Sequence, residues 1–104
     1  MFAVIYTFHV KKGVEKAFIK SWTAMTKLII KRKGSNGSRL HFTAPGIYMA
    51  YALWKDKETW EKFEDSPPAS SKKHSEIMKD SCSRIKTSHT MDVIEDLLIS
   101  IDEK

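Results

Sequence analysis

The stretch "IYMAYALWKD", Ile47 to Asp56, decides the fold. A β-strand turns alternate side chains to opposite faces. Ile47, Met49, Tyr51 and Leu53 therefore share one face, and Tyr48, Ala50, Ala52 and Trp54 share the other. Neither face is polar, so a strand here needs cover on both sides.

The N-terminus repeats the pattern. Phe2, Val4, Tyr6, Phe8 and Val10 alternate with Ala3, Ile5, Thr7 and His9, which reads as a strand rich in β-branched and aromatic residues. After a turn at Lys11–Gly13 the period changes. Val14, Ala17, Phe18, Trp22, Met25, Leu28 and Ile29 recur at three and four, which predicts an amphipathic helix from Val14 to Lys33 with Gly34 as its C-terminal cap. "GSNGS" (Gly34–Ser38) supplies a loop, and Arg39–Ala44 a second strand. Pro45-Gly46 then joins it to the opening stretch as a hairpin.

Downstream, Asp56 is placed to cap a short helix, "KETWEKFED", with Trp60 and Phe63 on one side. Ser66, Pro67 and Pro68 end it. A third helix is expected from about Ser70 to Ile85, with Ile77, Met78, Cys82 and Ile85 as its stripe. Thr87–Val93 suits a fourth strand followed by an apolar tail from about residue 94, although Val93, Ile94, Leu97, Leu98 and Ile101 also fit a helical period.

The order β-α-β-β-α-(α)-β predicts an α+β, ferredoxin-like subunit: an antiparallel sheet with helices on one face. One layer of helices leaves the sheet's other face bare. The simplest cover is a second copy, so a homodimer is expected, with the sheets packed face to face or closed into a barrel.

A chain of 104 residues suits one domain, 1–104. No apolar run approaches the roughly 20 residues that span a bilayer, so no membrane is expected. "MFAVIYTFHV" lacks a basic n-region and a small-residue cleavage site. Cys82 is the only cysteine, which points to a reducing, cytoplasmic setting. The net charge is +5, but the lysines are scattered, and the densest group, Lys31, Arg32 and Lys33, sits where cations offset a helix dipole. Nucleic acid is therefore not an expected partner. Four His and one Cys form no HExxH or CxxC, so no metal site is expected. "GSNGS" lacks the Gly-Lys-Ser/Thr of a phosphate loop, and no G-x-S-x-G or paired-carboxylate motif appears.

Three segments, "VIYTFHVKKGVEKAFIKSWTAMTKLI", "GSNGSRLH" and "YMAYALWKDKETWEKF", resemble the antibiotic biosynthesis monooxygenase (ABM) superfamily over roughly Met1–Ser66. The most specific piece is Ala52-Leu53-Trp54, a Lys-Asp turn, and a helix with Trp60 and Phe63. The resemblance implies a dimeric α/β barrel. It leaves the reaction open, because the superfamily includes cofactor-free oxygenases, quinol oxygenases and haem-degrading enzymes. The haem-degrading pattern asks for Asn on the first strand, Trp on the second helix and His on the third. Tyr6 or Thr7 stands at the first position, Phe63 nearest the second and His74 near the third, so haem is disfavoured.

The resemblance thus implies a cofactor-independent monooxygenase acting on an aromatic or quinol-like molecule, with no cofactor. Its pocket would lie between sheet and helices. His41, Tyr51 and His74 are the catalytic candidates, a His serving as base. Trp22, Arg39, Trp60 and Phe63 are the substrate-binding candidates. Strand parity leaves Tyr51 against Tyr48, and His41 against Phe42, open. Each candidate also has a plain structural reading: Trp22, Trp60 and Phe63 as core, His41 as an exposed strand residue, His74 as a solvated helix face, Cys82 as a small buried hydrophobe. The competing functions are a non-catalytic dimeric module that binds a small apolar ligand, and an interaction domain without a pocket. An enzyme needs a cavity with at least two converging polar groups. A binding module needs only the cavity. A space filled by Trp22, Trp60 and Phe63 would exclude both.

Overall fold

The computed structural model describes residues 1–32 and 34–99. Strand β1 (Phe2–Val10) and strand β3 (Ile47–Trp54) are the two middle strands of a four-stranded antiparallel sheet ordered β2-β3-β1-β4. They are the two stretches without a polar face, as central strands require. Strand β2 (Gly37–Ala44) and strand β4 (Cys82–Asp92) form the edges. The β2–β3 hairpin turns at Pro45-Gly46, where Gly46 has φ +78° and its carbonyl accepts from Val10 N–H at 2.8 Å. A side chain at Gly46 would demand a strained backbone and crowd the Val10 carbonyl at 3.3 Å.

Register fixes parity. Phe8 lies opposite Tyr48, Tyr6 opposite Ala50, Val4 opposite Ala52 and Phe2 opposite Trp54. This set packs on the helices. The Phe18 ring of helix α1 (Glu15–Lys31) lies 5.0 Å from Phe8 and 5.5 Å from Tyr48. Two clusters result, one around Phe8, Phe18 and Ala50 and one around Val4, Ala52 and Trp54. Tyr6 touches both. The other set, including Ile5, Tyr51, Met49 and Leu53, forms the outer face.

Helix α2 (Lys57–Asp65) starts at Asp56, whose Oδ1 accepts from the Thr59 backbone N–H and hydroxyl, each at 2.7 Å. Those bonds hold the Asp56 carboxyl below the usual carboxylate range. After a single 3₁₀ turn (Ala69–Ser71), helix α3 spans Lys72–Ser81.

Several boundaries differ from the sequence reading, among them the start of β2, at Gly37 rather than Arg39. The third helix ends at Ser81, not Ile85, and Cys82 begins a fourth strand that starts five residues before the expected Thr87. Pairing along all of β1 satisfies that backbone and outweighs the short helical stripe. Register shifts at Ile5/Tyr6 and His9/Val10 break the alternation in β4, which hides it from a period-two reading. Beyond β4, residues 93–99 are neither helix nor strand. Val93 N–H donates to the Met1 carbonyl at 2.9 Å, and Ile94, Leu97, Leu98 and Ile99 are exposed. Lastly, α1 stops at Lys31; Lys33 and Ile101 lie outside the described residues. No described helix is long and apolar enough to cross a membrane.

Candidate functional site

The space between sheet and helices is not filled. A cavity of about 580 Å³, partly open to solvent, separates the helix-facing side of the sheet from α1, α2 and α3. That volume lies within the range of about 300–1,000 Å³ typical of small-molecule sites. Trp22, Met25 and Ile29 of α1, Trp54 of β3, Phe63 of α2 and Met78 of α3 make an apolar wall.

Polar groups converge at the α2 side. Trp60 and Glu64 are four residues apart and so share one helix face. Trp60 Nε1–H donates to Tyr6 Oη at 2.8 Å, and Tyr6 O–H donates to Glu64 Oε2 at 3.0 Å. Tyr6 and Glu64 both border the cavity. The Asp56 cap sets where α2 begins and hence which of its residues lie over Tyr6. Burial raises the Tyr6 phenol well above its ordinary 10.0, and the Glu64 charge raises it further, against a smaller opposing effect of the Trp60 bond. Tyr6 is therefore a neutral donor at physiological pH, not a base. The neutral phenol is the favoured form, so its contribution to stability is whole below pH 10.0 and is lost as pH rises through the raised value. Ultraviolet titration of tyrosinate is expected to show a strongly alkaline step that Tyr6→Phe removes. An unchanged titration curve in that variant would contradict the Tyr6–Glu64 pairing.

Cys82 also borders the cavity, and burial pushes its thiol up, away from the thiolate a nucleophile needs. Among the described residues no three of His, Cys, Asp and Glu gather to hold a metal ion.

The candidates divide between two faces. Trp22 and Phe63 line the cavity, and Trp60 is bonded to Tyr6. Arg39, His41 and Tyr51 do not reach it, which corrects the expectation of a single site. Arg39 pairs with Tyr51, and His41 with Met49, in the outward-facing register, so Tyr48 and Phe42 take the helix side instead. The His41 Nδ1 lies 3.1 Å from the Met49 carbonyl. Arg39, His41 and Tyr51 meet Met1, Leu53 and the tail residues Glu95–Leu98 in a second cleft on the outer face. His74 borders neither cleft: on α3 the stripe that faces the cavity is Ser75, Met78 and Lys79, and His74 is rotated off it.

Tyr6 and Glu64 are the residues the sequence reading missed. Tyr6 is the one member of its alternating set that carries a polar atom, and a buried tyrosine hydroxyl needs a partner. Glu64 gives no such signal, because Glu58, Glu61 and Asp65 beside it look the same.

The antibiotic biosynthesis monooxygenase family model matches residues 1–71. No curated protein matches the sequence. Among solved structures, the chain is similar to SnoaB, a cofactor-independent oxygenase from Streptomyces nogalater, with a TM-score of 0.74 and 13% identity over 92% of this chain and 95% of that one. It is similar to Rv0793 from Mycobacterium tuberculosis, with a TM-score of 0.70 and 14% identity over 93% and 98%. A conserved protein from Methanosarcina mazei Go1 aligns with a TM-score of 0.68 and 16% identity over 82% and 87%. At such identities the likeness speaks to the fold.

Proposed function

Because the chain belongs to the antibiotic biosynthesis monooxygenase family, we propose that its helix-side cavity oxygenates a phenol or hydroquinone without a cofactor. The observation that carries the proposal is the apolar cavity with two converging polar groups, Tyr6 and Glu64. The substrate hydroxyl donates to the free oxygen of Glu64, and aromatic walls hold the ring. An oxidised phenol is far more acidic than the phenol itself, so Glu64 takes the proton as the ring gives an electron to dioxygen. The two radicals then join at a ring carbon, Glu64 returns its proton to the peroxide oxygen, and loss of water from the hydroperoxide and the ring C–H leaves a carbonyl. In balance, phenol and dioxygen give quinone and water: one oxygen atom enters the ring, the other leaves as water, and all four electrons come from the substrate. An oxygen-electrode screen of phenols and hydroquinones, without added flavin, metal or haem, tests this. Uptake that scales with protein supports it; silence across the screen contradicts it. A cytoplasmic setting, where Cys82 stays a thiol, belongs to the same reading.

One observation favours the alternative, a non-catalytic dimeric module that binds a small ligand. Among the described residues no histidine borders the cavity, and the one carboxylate there is that of Glu64. Ligand binding with a silent oxygen screen would select that reading.

The homodimer is part of the proposal. Ile5 and Tyr51 face each other across β1 and β3 on the outer face, which no described helix covers. A second copy packed there would bury them. Light scattering at low micromolar concentration is expected to give a dimer for the native protein and a monomer for Tyr51→Lys, since an unpaired charge in a buried face is costly. A native monomer, or a dimeric Tyr51→Lys, would contradict the assignment.

A further inference from the structure

The hydrogen bonds at the polar end of the cavity run in one direction. An indole nitrogen only donates, and an ionised carboxylate only accepts. Trp60 therefore fills one lone pair of Tyr6 Oη, and the single Tyr6 proton is committed to Glu64 Oε2. What these groups leave for a ligand is acceptors: the second Tyr6 lone pair, and Glu64 Oε1, which receives no bond among the described residues. From this polarity we infer that the Tyr6–Glu64 end selects aromatic ligands that donate a hydroxyl and turns away the matching carbonyl compounds. The inference rests on the cavity being the binding site proposed above.

It has a consequence for turnover. The substrate enters as an O–H donor and leaves as a quinone, whose oxygens only accept. Lone pair then faces lone pair, and the product loses its anchor as it forms. Glu64 sets this polarity. Without its carboxylate the Tyr6 proton is free while Trp60 still occupies one lone pair, so the same hydroxyl becomes a donor.

Anaerobic calorimetric titration with 1-naphthol and 1-tetralone separates the two polarities on nearly the same bicyclic frame. One hydrogen bond to a charged acceptor predicts that the native protein binds 1-naphthol about tenfold more tightly than 1-tetralone. Glu64 is exposed, so Glu64→Ala leaves the core intact. In that variant 1-tetralone is expected to bind at least about threefold more tightly than to the native protein, a gain absent from Tyr6→Phe/Glu64→Ala. A native preference below about fivefold, or no binding of either ligand, overturns the inference whatever the variants do. So does a Glu64→Ala protein that gains less for 1-tetralone than stated. Oxygen uptake is an independent readout. The preference without uptake keeps this inference and removes the oxygenase reading; uptake without the preference does the reverse.

Discussion

Phe18→Ala is expected to lower the stability of the domain by about 3–5 kcal/mol. Phe18 is 0% exposed, and its ring is what joins α1 to β1 and β3 through Phe8 and Tyr48. Removing it leaves a void beside the existing cavity, with walls held by two strands that cannot close in. Domains of this size have total stabilities of about 5–15 kcal/mol, so the loss is about a fifth of the whole or more. Phe42→Ala is the control. Phe42 is on the same side of the sheet but at its edge, and is 64% exposed, so its loss is expected within about 0.5–1 kcal/mol. Urea unfolding of the three proteins checks both. A Phe18→Ala loss below about 1 kcal/mol would show that α1 is not held to the sheet by this contact.

Glu64→Gln is expected to lower kcat by about 10²–10⁴-fold, the usual worth of a positioned general base. Gln keeps the size of the side chain and can still accept from Tyr6, but it cannot take a proton from the oxidised substrate. The loss should therefore fall on kcat more than on KM, because the aromatic wall of Trp22, Trp54 and Phe63 is untouched. His41→Ala provides the contrast. Its ring is on the opposite face of the sheet, bonded to the Met49 carbonyl, and its removal leaves turnover unchanged. Progress curves under saturating substrate check the pair. A Glu64→Gln protein with native kcat would remove Glu64 as the base.

The architecture was legible because the two stretches with no polar face, around Ile5 and Tyr51, become the two central strands, and because Asp56, Pro45-Gly46 and Pro67-Pro68 punctuate the chain by local chemistry. Parity was not legible. A period of two sorts Tyr48 from Tyr51 without saying which meets a helix. That choice depends on Phe18, thirty residues earlier, seating against Tyr48. The open parity carries straight into the site: Arg39, His41 and Tyr51, candidates alongside His74, Trp22, Trp60 and Phe63 for one pocket between sheet and helices, fall on the outer face and share the outer cleft. Cys82–Asp92 hid its strand character behind two register shifts. Glu64 was hidden differently. Only the packing of α2 on the sheet singles it out from the other acidic residues of the same helix.

On the function proposed here, chemistry belongs to the helix-side cavity and not to the outer cleft. Oxygen uptake with one reactive phenol, with no flavin, metal or haem added, tests it when native protein, Glu64→Gln and His41→Ala are compared at equal concentration. The expected result is uptake by the native protein and by His41→Ala, with Glu64→Gln near the rate without protein. Uptake retained in Glu64→Gln and lost in His41→Ala would place the chemistry on the other face of the sheet and contradict the account.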